Sequence, residues 1–177
     1  MTATLSPALG ATVLFIYAFL SNVALAVVPH EPAVIWFGPR LGILATAAIA
    51  TLGTVAAAWV DHRLFATAVD RLANRRAGAM PPPSLARRWF SRAPFAVLAA
   101  SGVTPLPFFP FKLLAFAARY PRDRYLAAVA AGRLPRYLLL AWLGVTVQLP
   151  FWALALAGVL LLIPTLRVFR CAIPNAN

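Results

Sequence analysis

The sequence predicts an all-α integral membrane protein: an inverted repeat of a re-entrant helical hairpin plus a long transmembrane helix, with an additional C-terminal transmembrane helix. Three observations carry this expectation. Of 177 residues, 62% are hydrophobic and 11% charged, against about 45–50% and about 25% in an average soluble domain, so a water-soluble globular fold is nearly excluded. Proline-rich breaks interrupt the apolar runs twice, in the same order. Finally, 16 Lys and Arg stand against 4 Asp and Glu, a formal net charge of +12, and such an excess in an apolar chain points to cytoplasmic loops. At ~20 apolar residues per crossing the chain has room for at most about six spans, hence a single membrane domain over 1–177.

The first repeat, 1–60, reads as an apolar helix to about Val28, a break at Pro29-His30-Glu31-Pro32 and a short apolar segment over 33–37. A second break at Gly38-Pro39-Arg40 precedes a long helix over roughly 41–60. Ala24-Leu25-Ala26 has the form of a signal-peptidase site, but the first ten residues carry no Lys or Arg, so residues 1–28 are expected to belong to the fold. The second repeat, 92–147, keeps the order: a helix over about 92–102, a proline cluster from Thr104 to Pro110, a short segment over 111–118, then Tyr120-Pro121-Arg122-Asp123 and a long helix over roughly 123–147. A last helix over about 151–168 lies within the C-terminal region, 148–177.

Depth arithmetic makes the second hairpin re-entrant. Arg92 to Val103 is about a dozen residues, ~18 Å at 1.5 Å per residue, which reaches only the middle of a ~30 Å hydrocarbon core. The chain must turn back at the proline cluster, and unpaired backbone at that depth requires protein or a wet cavity around it. The first hairpin is read the same way, with a full crossing of the first helix as the open alternative.

Between the repeats, 61–91 reads as a cytoplasmic, basic, amphipathic loop. Leu64, Phe65, Ala68, Val69 and Leu72 share one helical face with Arg63, Asp70, Arg71, Asn74 and Arg75 around it, the pattern of an interfacial helix. Pro81-Pro82-Pro83 is a stiff spacer, and Arg87-Arg88-Trp89-Phe90 can anchor at headgroups. Anionic inner-leaflet lipids are its expected partner, and nucleic acid is not expected. With this loop and the C-terminus inside, only Arg40, Lys112, Arg133 and Arg136 fall outside the cytoplasmic set, as the positive-inside rule asks.

Those residues carry the candidate chemistry. Arg133 lies about ten residues into the last long helix, ~15 Å deep, with Arg136 one turn further on the same face. A charge there costs roughly 2.5–3.5 kcal/mol, so each arginine calls for a partner or a wet cavity. Glu31 reads as the only acidic residue outside loops and helix ends, the counter-ion for Arg133 or Arg136. Its protonation would then depend on whether those guanidinium groups are engaged elsewhere. His30 beside it could relay protons, although a lone histidine is more often a hydrogen-bonded structural residue. Lys112, near the cytoplasmic face, is expected either to snorkel or to bind substrate with Thr104. One carboxylate against two or three cations leaves a positive surplus that an anion should complete, and the guanidinium fork suits phosphate. The lone Cys171 excludes an internal disulfide and a cysteine-based zinc site, and no metal or other cofactor is expected.

Phe19-Leu20-Ser21 through Pro29-His30-Glu31-Pro32, and later Gly132-Arg133-Leu134-Pro135-Arg136-Tyr137, resemble the two signature regions of the DedA, or VTT-domain, membrane proteins, the short YqaA-like branch most of all. The resemblance covers about residues 15–147. It implies two opposed re-entrant hairpins and a lipid flippase or scramblase acting on polyprenyl phosphate or phospholipid, with proton coupling in some relatives. Glu31, Arg133 and Arg136 would occupy the family's functional positions. The chain departs from the family in having no acidic residue over 32–60, with Ile43 near the place where many relatives carry a second one. It also has Thr104 and Pro105 where relatives often have an arginine.

The expected function is therefore that of a non-enzymatic membrane lipid transporter moving a lipid phosphate headgroup between leaflets, with Glu31 and His30 as coupling candidates. A homo-oligomer is compatible with this reading. The alternative is a structural or assembly factor whose buried charges merely pair. A headgroup enzyme ranks below both, because no nucleophile and base stand together in the sequence.

Overall fold

The computed structural model describes residues 6–23, 29–73, 88, 90–104, 108–147, 150, 152–156 and 158–160, and all regular structure among them is helical. The elements are α1 (Pro7–Asn22), α2 (Glu31–Leu41), α3 (Ile43–Ala73), α4 (Pro94–Val103), α5 (Phe109–Ala117) and α6 (Arg122–Val147). Residues 90–92, 152–156 and 158–160 are also helical. Among the described residues two helices are long and apolar enough to cross a membrane, over Ile43–Phe65 and Arg122–Val147.

Helix boundaries follow local chemistry. Ser6 caps α1 by accepting from the Leu9 amide at 3.3 Å, with Pro7 in the first turn, where a missing N–H costs nothing. The first helix was expected to run to about Val28. It stops at Asn22, where Val23 turns extended, and residues 24–28 lie outside the described set. Pro32 and Pro110 occupy the first turns of α2 and α5 in the same way. So α5 begins inside the proline cluster, two residues before the expected 111, while 105–107 are not described.

Two expected boundaries move further. Gly38-Pro39-Arg40 does not break the chain: α2 continues to Leu41 with Pro39 inside it. Proline removes the amide that would bond the Ile35 carbonyl, and the Gly144 backbone of α6 packs onto that carbonyl so closely that a Cβ could not fit. Nearby, the Thr46 hydroxyl donates to the Phe37 carbonyl at 3.2 Å. The turn falls instead at Gly42, whose φ of +85° and ψ of 152° suit glycine alone. The long helix expected over 41–60 runs on to Ala73, through the first part of the expected 61–91 loop. No Gly or Pro interrupts 54–77, so the amphipathic stretch around Leu64 continues α3. Pro81-Pro82-Pro83, Arg87, Trp89 and the chain beyond Leu160, with Cys171, lie outside the described residues.

Packing places α3 and α6 together at the centre. α1 packs on α3 and α4 on α6, while α2 packs on α6 as well as α3, and α5 on α3 and α4. Glycines permit the crossings. A Cβ on Gly53 would strike the Phe15 carbonyl of α1, one on Gly132 the Ala99 carbonyl of α4, and one on Gly38 the backbone at Ala141. One apolar cluster joins Leu14, Val34, Ala47, Ala50, Tyr137 and Ala141. A second joins Ala58, Leu98, Leu114, Phe116, Tyr125 and Val129. Early α3 therefore meets late α6, and later α3 meets early α6, so the two helices run antiparallel. Outward, Leu20, Leu44, Leu52, Leu139 and Trp142 are each more than half exposed, an apolar exterior that suits contact with hydrocarbon.

Candidate functional site

Between the two apolar clusters, α3 contributes Thr51 and Thr54 and α6 contributes Gly132, Arg133 and Arg136. This is the polar layer of the molecule. Glu31, expected in a break, is the first residue of α2, and its Oε1 accepts from Nη2 of Arg136 at 2.8 Å. Both side chains keep a little exposure, 18% and 17%. Arg136 Nη1 also donates to the Thr104 backbone carbonyl at 2.9 Å, at the C-terminus of α4. Thr104 thus enters the layer through its carbonyl, since its hydroxyl donates to the Ala100 carbonyl.

Arg133 has a different environment. It is 5% exposed, its guanidinium lies 5.4 Å from the centre of the Phe108 ring, and its Nε has no partner among the described residues. Nor does any carboxylate among them pair with it. A cation on an aromatic face recovers only part of what burial costs. Of the two arginines read from the sequence as a pair at depth, one is neutralised and one is not.

His30, at the N-terminal cap of α2, is held on both sides. The Asn22 amide, which also donates to the Ala18 carbonyl, donates to Nδ1 at 3.3 Å. An acceptor at Nδ1 places the proton of the neutral ring on Nε2, which donates to the Tyr137 hydroxyl at 2.5 Å. Tyr137 in turn meets Thr54 Oγ1 at 2.8 Å, and Thr54 donates to the Ala50 carbonyl. The chain of donors closes with every group satisfied. Residue 30 therefore has the geometry of a structural histidine tying α1, α2, α3 and α6 together.

Lys112 does not snorkel. It is 2% exposed and ion-paired with Asp61 of α3, which is fully buried, and its Nζ also reaches the Asn22 carbonyl at 3.5 Å. Glu31 is accordingly not the only acidic residue of the interior. Asp61 falls in the expected 61–91 loop, but α3 runs on past it to Ala73. The signal for it was present, as Asp61 lies seven residues from Thr54 on the buried face Thr54, Ala57, Ala58. Tyr137 and Phe108 were likewise not singled out, since tyrosine and phenylalanine in apolar helices give no distinguishing pattern.

The two ion pairs are reciprocal. In the first, the short helix of the N-terminal half supplies the acid and the long helix of the other half the base. In the second, α5 supplies the base and α3 the acid. Arg133 lies within electrostatic reach of Glu31, Arg136 and Lys112. Among the described residues no group of three His, Cys, Asp or Glu could hold a metal ion. Compared with known proteins, the chain matches no protein-family model, no curated protein and no solved structure.

Proposed function

We propose that this protein is a membrane lipid transporter of the DedA, or VTT-domain, kind, which moves a phosphate-bearing lipid headgroup between leaflets through the polar layer. The observation that carries the reading is Arg133: a buried guanidinium with no anionic partner among the described residues, between two apolar clusters. An uncompensated cation in a low-dielectric layer is a standing demand for an anion. In a protein with an apolar exterior, the phosphate of a lipid is the anion at hand, and the guanidinium can pair two of its oxygens. Arg136, already bonded to Glu31, lies one turn away to share the load.

The inverted repeat supports alternating access in this reading. Each half has a helix on its own long helix, a short helix engaging the other half's long helix, and a reciprocal ion pair. At ten residues, ~15 Å, α4 is short for a crossing, which supports the re-entrant reading. Proton coupling, where present, runs through Glu31, because His30 has both nitrogens engaged. The basic stretch after Asp61 faces the cytoplasmic leaflet of the inner membrane.

Reconstitution of purified protein into vesicles with labelled lipids, reading exchange between leaflets, tests the transport reading. Accelerated exchange that Arg133→Ala abolishes is expected, and no acceleration for any phosphate-bearing lipid sinks it. For the hairpin, a cysteine at Val103 in a Cys171→Ser background should resist a bulky reagent applied from the non-cytoplasmic side. Free labelling there, in folded protein, means that α4 crosses.

A further inference from the structure

We propose that Asp61 sets the valence of the headgroup site: by neutralising Lys112 it leaves Arg133 as the single uncompensated buried cation among the described residues, so the site takes one negative charge, that of a phosphodiester headgroup, in preference to the two of a phosphomonoester. The proposal rests on the lipid-phosphate reading above and narrows it to a substrate class.

The argument is a charge count over the buried layer. Glu31 cancels Arg136 at 2.8 Å, and Asp61 cancels Lys112. Among the described residues Arg133 Nε has no hydrogen-bond partner and no carboxylate pairs with Arg133. His30 is neutral in the tautomer that Asn22 imposes. Tyr17 donates to the Pro29 carbonyl, Tyr137 meets His30 and Thr54, and His62, beyond Tyr125, contacts the Tyr120 carbonyl. Among the described residues the count closes at one positive charge. A phosphodiester carries one negative charge across the neutral range, whereas a phosphomonoester loses its second proton near pH 6, about two charges at pH 8. A second negative charge would have no counter-ion in a layer where an unpaired charge is costly.

Lys112 and Asp61 belong to α5 and α3, whereas the arginines belong to α6, so the count can be changed without touching Arg133. Asp61→Asn raises the surplus to two, Lys112→Met lowers it to zero, and the double variant returns it to one.

The test is equilibrium binding of short-chain phosphatidylglycerol, a diester, and phosphatidic acid of the same chains, a monoester, to the full chain in neutral detergent. At pH 8 the wild type should bind the diester at least about ten-fold more tightly. At pH 5, where the monoester keeps about one charge, the gap should close, with the diester as the internal control. Asp61→Asn should reverse the preference, and Lys112→Met should weaken both ligands. The double variant should restore the diester preference, and it has no broken ion pair to prevent folding if the single variants fail. Equal or tighter binding of the monoester by the wild type at pH 8 overturns the proposal. So does a double variant without the diester preference, or binding of both lipids that Arg133→Gln leaves unchanged. Glycerophosphoglycerol, the same headgroup without chains, should bind far more weakly, and equal binding overturns a lipid as the source of the diester. Diester-selective binding without leaflet exchange would sink transport and leave the charge rule, whereas exchange without charge preference would do the reverse.

Discussion

The imidazole of His30 donates to the Tyr137 hydroxyl at 2.5 Å, and the same hydroxyl meets Thr54 at 2.8 Å, so one phenol oxygen joins α2, α3 and α6. Tyr137→Phe keeps the ring in its apolar cluster and leaves the buried His30 Nε2–H without an acceptor. The expected cost is about 1–3 kcal/mol, read as earlier denaturation in detergent. An unchanged transition would mean that the network contributes nothing to holding α2.

Arg133 offers a sharper separation of stability from activity. Its positive charge is uncompensated among the described residues, so Arg133→Met removes a cost of burial while filling similar space. The melting temperature should hold or rise while leaflet exchange disappears. A large loss of stability would assign Arg133 a structural role.

Arg136 should behave in the opposite way. Arg136→Ala strands the Glu31 carboxylate and frees the Thr104 carbonyl. Removing one partner of a fully buried pair costs about 3–5 kcal/mol, and the partial exposure of this one reduces the figure to about 1–3. Glu31→Gln retains an oxygen for Arg136 and should lose less. Equal losses in the two variants would show that the Thr104 bond adds nothing.

Gly144 tests the seam between α2 and α6. Its missing side chain admits the Ile35 carbonyl that Pro39 leaves without its helical donor. Gly144→Ala should displace α2, with overpacking worth about 1–3 kcal/mol, and reduce exchange as Glu31 moves off Arg136. Wild-type stability and exchange together in that variant would show that the seam yields freely.

Much of this was legible in the chain. The order of short and long helices followed from proline punctuation, and the place of Arg133 and Arg136 one turn apart within the last long helix followed from counting along it. The link between Glu31 and one of these arginines followed from the scarcity of acids. What escaped was tertiary. Gly38-Pro39 looked like a break because sequence shows the lost amide but not the Gly144 backbone lying over the carbonyl it leaves. Asp61 falls in the stretch read as a loop and Lys112 reads as a snorkelling or substrate-binding residue, and only the packing of α5 on α3 shows that they cancel. The satisfied ring of His30 depends on Asn22 and Tyr137, eight and 107 positions away.

The bond between Glu31 and Arg136 spans 105 positions. At about 5–20 residues per second of synthesis, roughly 5–20 s separate the appearance of the carboxylate from that of its partner. Through that interval α1, α2 and α3 exist without α6, and a charged Glu31 has no guanidinium to accompany it into hydrocarbon. The nascent N-terminal half therefore holds Glu31 without its ion-pair partner until α6 is made. Docking of α2 is a late event in biogenesis, and a ribosome stalled before residue 136 would hold a chain whose first half is made but whose site has not yet formed.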